Sequence, residues 1–504
     1  MRHRNFCQVF VPMLVVAALM LGRQWAACDE FRYEIAWATY LGGSDYDQLR
    51  WVLAYPDGSV IVAGQSHSAD YPTTPGVVQW QYAGEPPGTG HPGIYGGDIV
   101  ISRLSGDGSQ LLASTFLGGS RQERSAYMLA LDAEGNVIVS STTRSTDFPT
   151  TPGAYQRRYG GGTADTVAAK LTPDLRRLIW ATYVGGPGED WARAGFALDE
   201  KDNLILVGRT TTAAFATPGA VRVPSGGWDA AVVKLSADGS RVLFAARFGA
   251  SGNEALVGVS VATDGRIILW GHSWSRHLPV VRALQRGNAG PAGTADMMLA
   301  VLSADGRRLL HWTLLGGAND EFAETAPAVL ADGTIALIGN TAPDDFPVTA
   351  DAWWARRKGG PGDGVIVLFD PTAGTLRYST FFGGSGSDAF LGPVLDREGN
   401  IYLYGQTSSP DLPVTDDAIQ PRLAGGDDGY FAILSRDARR LLYATYLGGS
   451  RHDQIRKVTV LEDGALLITG RTESPDFPVI PGAYQGQLAG DSDGFVVKLR
   501  RVAR

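Results

Sequence analysis

The chain alternates between short runs of apolar, β-branched and aromatic residues and polar breaks rich in glycine and proline. Near the C-terminus, the apolar run 441–447 precedes two glycines, and residues 455–461 alternate between apolar and polar positions. Glu462-Asp463-Gly464 favours a hairpin turn before the apolar run 465–470, and a further run follows at 494–499. Helical periodicity is nearly absent, so the pattern predicts four β-strands in about 66 residues.

This four-strand unit occurs seven times. The phrase ATYLGGS at 38–44 returns at 444–450, with five weaker copies between them. A pair such as Tyr-Pro or Phe-Pro follows each copy, and an aspartate then opens the last apolar run of the unit. These aspartates are 67, 64, 67, 67, 65 and 65 residues apart and are Asp98, Asp165, Asp229, Asp296, Asp363, Asp428 and Asp493. The spacings predict repeats at 36–112, 113–179, 180–243, 244–310, 311–377, 378–442 and 443–504.

Seven four-stranded units predict an all-β protein, a seven-bladed β-propeller. One unit cannot bury both faces of its sheet, whereas neighbours arranged around an axis cover one another. Residues 33–41 read as a fourth strand that precedes the first unit, and the sequence finishes after the third strand of its last unit. We therefore expect the N-terminal strand to complete the last blade and close the ring, with residues 33–504 forming a single propeller.

The units resemble the SBBP repeat, a bacterial β-propeller repeat, through the phrases TYLGGS, DFP-TPGAYQ and GG-D-FV-KL. The second and seventh units match best, and the resemblance covers residues 36–504. The fourth unit departs most, because Arg247 replaces a strand aromatic, Ala250 a glycine and HLPVVRALQ the DFP-TPGAYQ phrase. The resemblance implies the propeller fold and export from the cell, and it provides no catalytic residues.

Residues 1–28 read as a secretory signal peptide. Arg2 and Arg4 precede thirteen apolar residues, Val9 to Leu21, and small residues follow. This run is shorter than the roughly 20 residues of a membrane-spanning helix, and no later run reaches that length, so we expect no transmembrane span in the mature chain. Trp-Ala-Ala-Cys at 25–28 resembles a bacterial lipobox. Two interpretations follow: lipidation of Cys28, or an ordinary export signal that is cleaved near this position. We expect the protein in the periplasm, at the cell surface or outside the cell.

Charge and composition exclude several classes of function. The net charge is −8, and the first 28 residues carry three arginines and no acid, so the remainder has a net charge of −11. Such an acidic surface gives no basis for nucleic-acid binding. Cys7 lies in the signal and Cys28 at its end, so an internal disulfide is not expected. The histidines do not recur or show zinc-ligand spacing; His272 and His277, in the divergent fourth unit, are the pair of most interest.

Two sets of carboxylates recur through the units. The first set follows the paired glycines and opens the strand that we expect to be innermost: Asp47, Glu123, Asp190, Glu254, Glu321, Asp388 and Asp453. These side chains could ring one mouth of the axial channel and bind a hard cation such as Ca²⁺, and no other cofactor is expected. The alternative is that each carboxylate accepts backbone N–H bonds or pairs with an arginine. The second set, the repeated aspartates, contains no glutamate, which favours a short local hydrogen bond of the Asx-turn type.

The first unit carries an insertion. Asp47 and Asp98 are 51 residues apart, against 39 to 42 in the other units, and the excess lies in residues 79–97. Aromatic side chains with few charges suit contact with a sugar or a peptide, although a tolerated insertion without function is the alternative. The candidate ligand-binding residues are Trp80, Tyr82, His91 and Tyr95.

These patterns favour an exported bacterial propeller that acts as a binding or scaffold module at the cell envelope. The expected partner is a protein or a polysaccharide, contacted by loops on one face, and we expect a monomer. The alternative is an enzyme, a lyase or hydrolase with its site in the axial channel and metal near ring acids such as Glu254 and Glu321. The fold does not decide between them, because propellers host many activities.

Overall fold

The computed structural model describes residues 31–85, 96–223, 227–279 and 281–503. Every regular element in those ranges is a β-strand, and the strands form seven four-stranded antiparallel blades of a propeller, two of them with a short extra strand. The predicted all-β, seven-bladed fold is confirmed. Within the same ranges, no helix is long and apolar enough to cross a membrane.

Each blade is a meander that starts at the axis and ends at the rim. The first strand, β1 (Phe31–Leu41), belongs to blade 7. Blade 1 contains β2 (Asp47–Ala54), β3 (Val60–Ser66), β4 (Asp98–Leu104) and β5 (Leu111–Leu117). Blade 2 contains β6 (Met128–Leu131), β7 (Val137–Thr143), β8 (Asp165–Leu171) and β9 (Leu178–Val184). Blade 3 contains β10 (Asp190–Leu198), β11 (Leu204–Thr210), β12 (Arg222–Val223), β13 (Asp229–Leu235) and β14 (Val242–Phe248).

The remaining blades repeat this arrangement. Blade 4 contains β15 (Glu254–Val261), β16 (Ile267–Ser273), β17 (Asp296–Leu302) and β18 (Leu309–Leu315). Blade 5 contains β19 (Glu321–Ala323), β20 (Ala328–Val329), β21 (Ile335–Thr341), β22 (Asp363–Asp370) and β23 (Thr375–Phe382). Blade 6 contains β24 (Asp388–Leu395), β25 (Ile401–Thr407), β26 (Asp428–Leu434) and β27 (Leu441–Leu447). Blade 7 contains β28 (Asp453–Val460), β29 (Leu466–Thr472), β30 (Asp493–Ala503) and β1.

The hydrophobic core lies between blades. Seven apolar clusters are present among the described residues, and each combines side chains of two adjacent blades. Between blades 1 and 2, for example, Ile61 and Ile101 of the first blade pack with Val139 and Val167 of the second. Because both faces of a blade are covered in this way, its strands are apolar on both sides rather than on one.

The N-terminal strand closes the ring. β1 pairs antiparallel with β30, from Phe31 opposite Ala503 to Leu41 opposite Gly494. Trp37 and Leu41 of this strand then pack with Val52 of blade 1 in the seam between blades 7 and 1. The predicted closure of the last blade by the first strand is therefore confirmed.

The DFP-TPGAYQ phrase covers the outer edge of its own blade. In blade 2, Thr151 donates its N–H to Ala181 O (3.2 Å), and Tyr183 donates to Gln156 O (2.9 Å). Tyr155 N–H reaches Gly239 O of the next blade (2.9 Å). The repeated phrase therefore protects an edge strand that would otherwise present unpaired N–H and C=O groups.

Candidate functional site

The seven acids of the first set are buried between blades. Each side chain is at most 2% exposed. Asp47 accepts hydrogen bonds from Gly43 N (2.6 Å) and Ser68 Oγ (2.8 Å). Glu123 accepts from Gly119 N (3.2 Å) and Thr143 Oγ1 (2.7 Å) in the same arrangement. These bonds hold the loop of the paired glycines onto the next strand, as the backbone-bonding alternative expects.

The other members of this set make equivalent bonds. Glu254 accepts from Ala250 N (2.9 Å) and Ser273 Oγ (2.7 Å). Asp190, Glu321, Asp388 and Asp453 are likewise bonded by threonine or serine hydroxyls. Within the described ranges, no three histidine, cysteine, aspartate or glutamate side chains form a group that could hold a metal ion. Binding of Ca²⁺ stays a prediction from the sequence.

The second set, the repeated aspartates, is also completely buried, with bonds that differ from the expected Asx-turn. Asp493 accepts from Gln485 Nε2 (2.7 Å) and Ala489 N (2.8 Å), both of which precede it in the long loop. Asp98 accepts from Gln79 Nε2 (2.9 Å) and Ala83 N (2.8 Å). In blades 1, 4, 6 and 7 the glutamine that ends this phrase is thus the partner of the aspartate that opens the next strand, whereas Asp165 of blade 2 accepts from Gly160 N.

The two sets of acids meet across each seam. A Cβ atom added to Gly118 would overlap the carboxylates of both Asp98 and Glu123, which explains why the first residue of the GG phrase is glycine. Burial raises the pKa of Asp98 to about 7, and burial together with the Asp98 charge raises the pKa of Glu123 well above its usual range. Such a pair holds a proton near neutral pH because two adjacent buried charges are costly.

Two blades lack the glutamine and pair their aspartate with an arginine instead. In blade 3, Val221 occupies the glutamine position, since its carbonyl accepts Arg247 N–H (3.0 Å) as Gln79 O accepts Phe116 N–H (2.9 Å). The Arg247 guanidinium forms an ion pair with Asp229 and donates to Thr212 O (2.9 Å). In blade 5, Arg357 Nε lies 3.4 Å from Asp363 Oδ2. The sequence showed Arg247 only as a departure from the repeat. The arginine stands next to a unit whose repeated phrase lacks the glutamine, and this pairing of two changes could have indicated that Arg247 replaces the glutamine as partner of Asp229.

The insertion of blade 1 presents an exposed indole. Trp80 is 63% exposed, the largest fraction among the large apolar side chains described. Tyr82 is half-buried, packs edge-on against Phe116 (5.7 Å between ring centroids) and donates its hydroxyl to Glu85 O (2.8 Å). Tyr82 therefore anchors the start of the insertion, whereas Trp80 faces solvent. His91 and Tyr95 lie outside the described residues, as does Cys28.

The two histidines of the divergent unit do not form a site together. His272 is buried, and its Nδ1 accepts the N–H of Ala323 (3.3 Å). Its ring packs edge-on against Trp274 and Phe322. His277 is exposed.

The inner strands of five blades bulge or shift register beside the axis. The ladder skips Arg50 in blade 1 and Arg456 in blade 7, and the inner strands of blades 3, 4 and 6 shift register in the same region. Bulges re-aim side chains and occur often beside functional sites. Arg50, Tyr127, Val257, Glu324 and Arg456 are among the residues that line an axial cavity of about 40 Å³.

Wider grooves open between blades beside the hairpin turns. One, of about 1030 Å³, lies between blades 3 and 4 and is lined by residues such as Asp199, Leu243 and Arg307. Another, of about 520 Å³, lies between blades 5 and 6 and includes Arg377 and Asp396. Both grooves mix charges of the two signs with apolar surface.

Several solved structures align with most of this chain at low sequence identity. No family model and no curated protein matches the chain. A polysaccharide lyase of family PL25, an ulvan lyase with a bound saccharide, aligns over 86% of this chain and 92% of its own with 9% identity and a TM-score of 0.45. A Dyadobacter fermentans protein of unknown function covers 93% and 99% with 9% identity and a TM-score of 0.41. A europium-containing methanol dehydrogenase covers 93% of both chains with 12% identity and a TM-score of 0.38.

Proposed function

We propose that this protein is an exported binding module of the cell envelope, whose ligand is an extended polysaccharide or protein held by the blade 1 insertion. Its assignment to the SBBP repeat proteins rests on the recurring motifs, and export rests on the N-terminal signal, with Cys28 as the residue that lipidation would modify. The propeller provides the rigid support on which a loop can act.

The exposure of Trp80 carries this proposal. Like the equivalent loops of other blades, this loop covers an edge strand, with Thr74 N–H donating to Ser114 O (3.0 Å), but it is longer and keeps an indole 63% exposed. An exposed indole offers a large, rigid apolar face that can stack on a sugar ring or enter a pocket of a protein partner. Removal of this face from water is the gain that binding would provide.

An enzyme in the axial channel is the second candidate, favoured by the bulges that direct side chains to the axis. Glu254 and Glu321, the acids that the sequence pointed to, are completely buried and hydrogen-bonded in the seams. A channel reaction would therefore depend on residues at the bulges, such as Arg50, Glu324 and Arg456.

A binding experiment with matched variants tests the proposal. Residues 29–504 would be run through gels containing single envelope polysaccharides and, separately, used to capture proteins from an envelope extract. We expect retention or stoichiometric capture that is lost in Trp80→Ala and kept in Tyr155→Ala, which removes a 46% exposed aromatic from the corresponding loop of blade 2.

The same samples distinguish the two candidates. Equal retention of wild type and Trp80→Ala would show that the insertion is not the binding surface and would refute the proposal. Shortening of a retained polysaccharide, measured by size-exclusion chromatography, would favour the channel enzyme.

A further inference from the structure

Two arginines project into the axial cavity from adjacent blades. Arg50 lies at the bulge of β2 and Arg456 at the equivalent bulge of β28, and both line the same cavity. The only acid among the described lining residues is Glu324, so the formal charge of the lining is positive. The complete chain, in contrast, has a net charge of −8.

The donors of these arginines are not used up by the protein. Within the described residues, the Nε atoms of both Arg50 and Arg456 are buried and have no hydrogen-bond partner. The Arg50 guanidinium stacks over the Tyr127 ring at 4.3 Å from its centroid, an arrangement that leaves the N–H groups in the guanidinium plane available. A buried unpaired donor is costly, and most buried polar groups in proteins have a hydrogen-bond partner.

The positive charges of Arg50 and Arg456 meet at this cavity. Glu324 is the one acid among the described lining residues. Burial, followed by repulsion from Arg50, lowers the pKa of Arg456 to about 9, with Arg471 adding to the repulsion. Arg456 remains a cation at neutral pH. Two cations with buried Nε atoms, on the inner strands of adjacent blades, are expected to attract a negative group into the cavity between them.

The geometry of arginine defines the ligand chemistry. A guanidinium presents Nε–H and Nη–H as a planar fork that matches two oxygens of a carboxylate, sulfate or phosphate. A cavity of about 40 Å³ limits the occupant to one small group rather than a whole sugar ring. We propose that the axial cavity is an oxyanion site, in which Arg50 and Arg456 bind a free oxyanion or the acidic group of a larger ligand.

Calorimetry at constant ionic strength tests this site. Residues 29–504 would be titrated with sodium sulfate, with sodium chloride and with glucuronic acid, the last as a probe for an acidic group attached to a sugar. We expect saturable one-to-one binding of sulfate or glucuronate and none of chloride. Stronger binding of sulfate identifies a free ion as the occupant, and stronger binding of glucuronate identifies the acidic group of a larger ligand.

Charge-matched variants locate the site. Arg50→Gln and Arg456→Gln should each weaken oxyanion binding by about tenfold or more, because a charge-assisted bond is lost. Arg456→Lys, which keeps the charge and loses the fork, should also weaken it. Arg397→Gln removes the same charge from a side chain that is 72% exposed, and should bind as wild type does.

A second readout separates binding from a structural role. Without added oxyanion, Arg456→Gln should melt at or above the wild-type temperature because repulsion at the cavity is relieved. Added sulfate should raise the melting temperatures of the wild type and of Arg397→Gln, and not that of Arg456→Gln. Destabilisation of Arg456→Gln in the absence of oxyanion would overturn the proposal. So would a sulfate effect equal in all variants, or no saturable binding of either oxyanion.

Discussion

Each buried aspartate that opens the third strand of a blade needs a donor from elsewhere in its blade. Asp428 takes it from Gln420 Nε2 (2.7 Å), whereas Asp229 takes it from Arg247. The donor changes while the buried carboxylate stays, which shows that the acid is a fixed part of the seam. Loss of one member of such a buried pair leaves the other uncompensated.

Replacement of Arg247 by the glutamine of the other blades tests whether the two residues are equivalent partners of Asp229. We expect Arg247→Ala to lower the free energy of unfolding by about 3–5 kcal/mol, because Asp229 stays buried without a partner. The double variant Val221→Gln with Arg247→Tyr should recover most of the loss, since it restores the glutamine and the strand aromatic of the other blades. Urea unfolding measures both.

Arg241→Ala, an exposed change on the same blade, serves as the control and should stay within about 0.5 kcal/mol of wild type. If the double variant is as unstable as Arg247→Ala, then glutamine and arginine are not equivalent partners of this aspartate.

At this scale the sequence identified the acids and the glycines but not their partners. The spacing between Gly119 and Glu123 is local, so it can be read directly. Thr143, which donates to the same glutamate, lies 20 residues away and reaches it only through the register of two strands. Composition and spacing carry no information about that register.

Strand β1 contributes to more than one part of the ring. It forms the outer edge of blade 7 and contributes apolar side chains to the seams on both sides, Tyr33 toward blade 6 and Trp37 toward blade 1. Without β1, both β30 and the two seams would be exposed to water.

Deletion of residues 29–41 should therefore lower the melting temperature sharply. A synthetic peptide of residues 31–41, added to the truncated protein, should restore part of the loss by pairing with β30. Scanning fluorimetry measures both effects, with a scrambled peptide as the control. An unchanged melting temperature after the deletion would mean that the other five seams are sufficient for the stability of the ring.

The hydrophobic pattern of the sequence predicted the strands, but it did not predict the breaks and bulges within them. Pro327 lies between β19 and β20 and divides the inner strand of blade 5, because proline has no N–H for the ladder. The bulges at Arg50 and Arg456 leave no mark in the alternation of the sequence, so the side chains of the axial cavity were not among the predicted site residues.

Across the whole molecule, the buried carboxyls make stability depend on pH. Burial raises the pKa of Asp47 and of Glu321 to about 8, and that of Asp98 and of Asp165 to about 7. The unfolded groups have pKa values of about 4. Between these limits the native protein binds more protons than the unfolded chain, so stability is fully present below about pH 4 for these groups and is lost as pH rises toward 8.

We therefore expect a higher melting temperature at pH 5 than at pH 7.5. Groups such as Asp199, whose pKa is lowered to about 2, stay ionised at both values and do not oppose the trend. His311, whose pKa is lowered to about 4 by burial, opposes the trend between pH 5 and about 6.5. Lys457, whose pKa is lowered to about 7 by burial, opposes it from about pH 7 upward, so the expected difference is the net effect of the more numerous buried carboxyls. Differential scanning calorimetry at fixed ionic strength measures the melting temperature at the two pH values.

Asp47→Asn removes one titrating carboxyl and should make the difference between the two pH values smaller. A melting temperature that is unchanged, or higher, at pH 7.5 than at pH 5 would contradict the predicted loss of stability with rising pH.

The pairing of β1 with β30 has a consequence for how the chain is made. Phe31 and Ala503 face each other in one ladder although nearly all of the propeller lies between them in sequence. Six blades can assemble from strands that are neighbours in sequence, while the seventh needs contacts between β1 and β30, and contacts between residues far apart in sequence form slowly. A nascent chain that stops early keeps an unpaired strand and an open seam. Completion of the ring thus distinguishes a chain that contains both β1 and β30 from one that stops before β30.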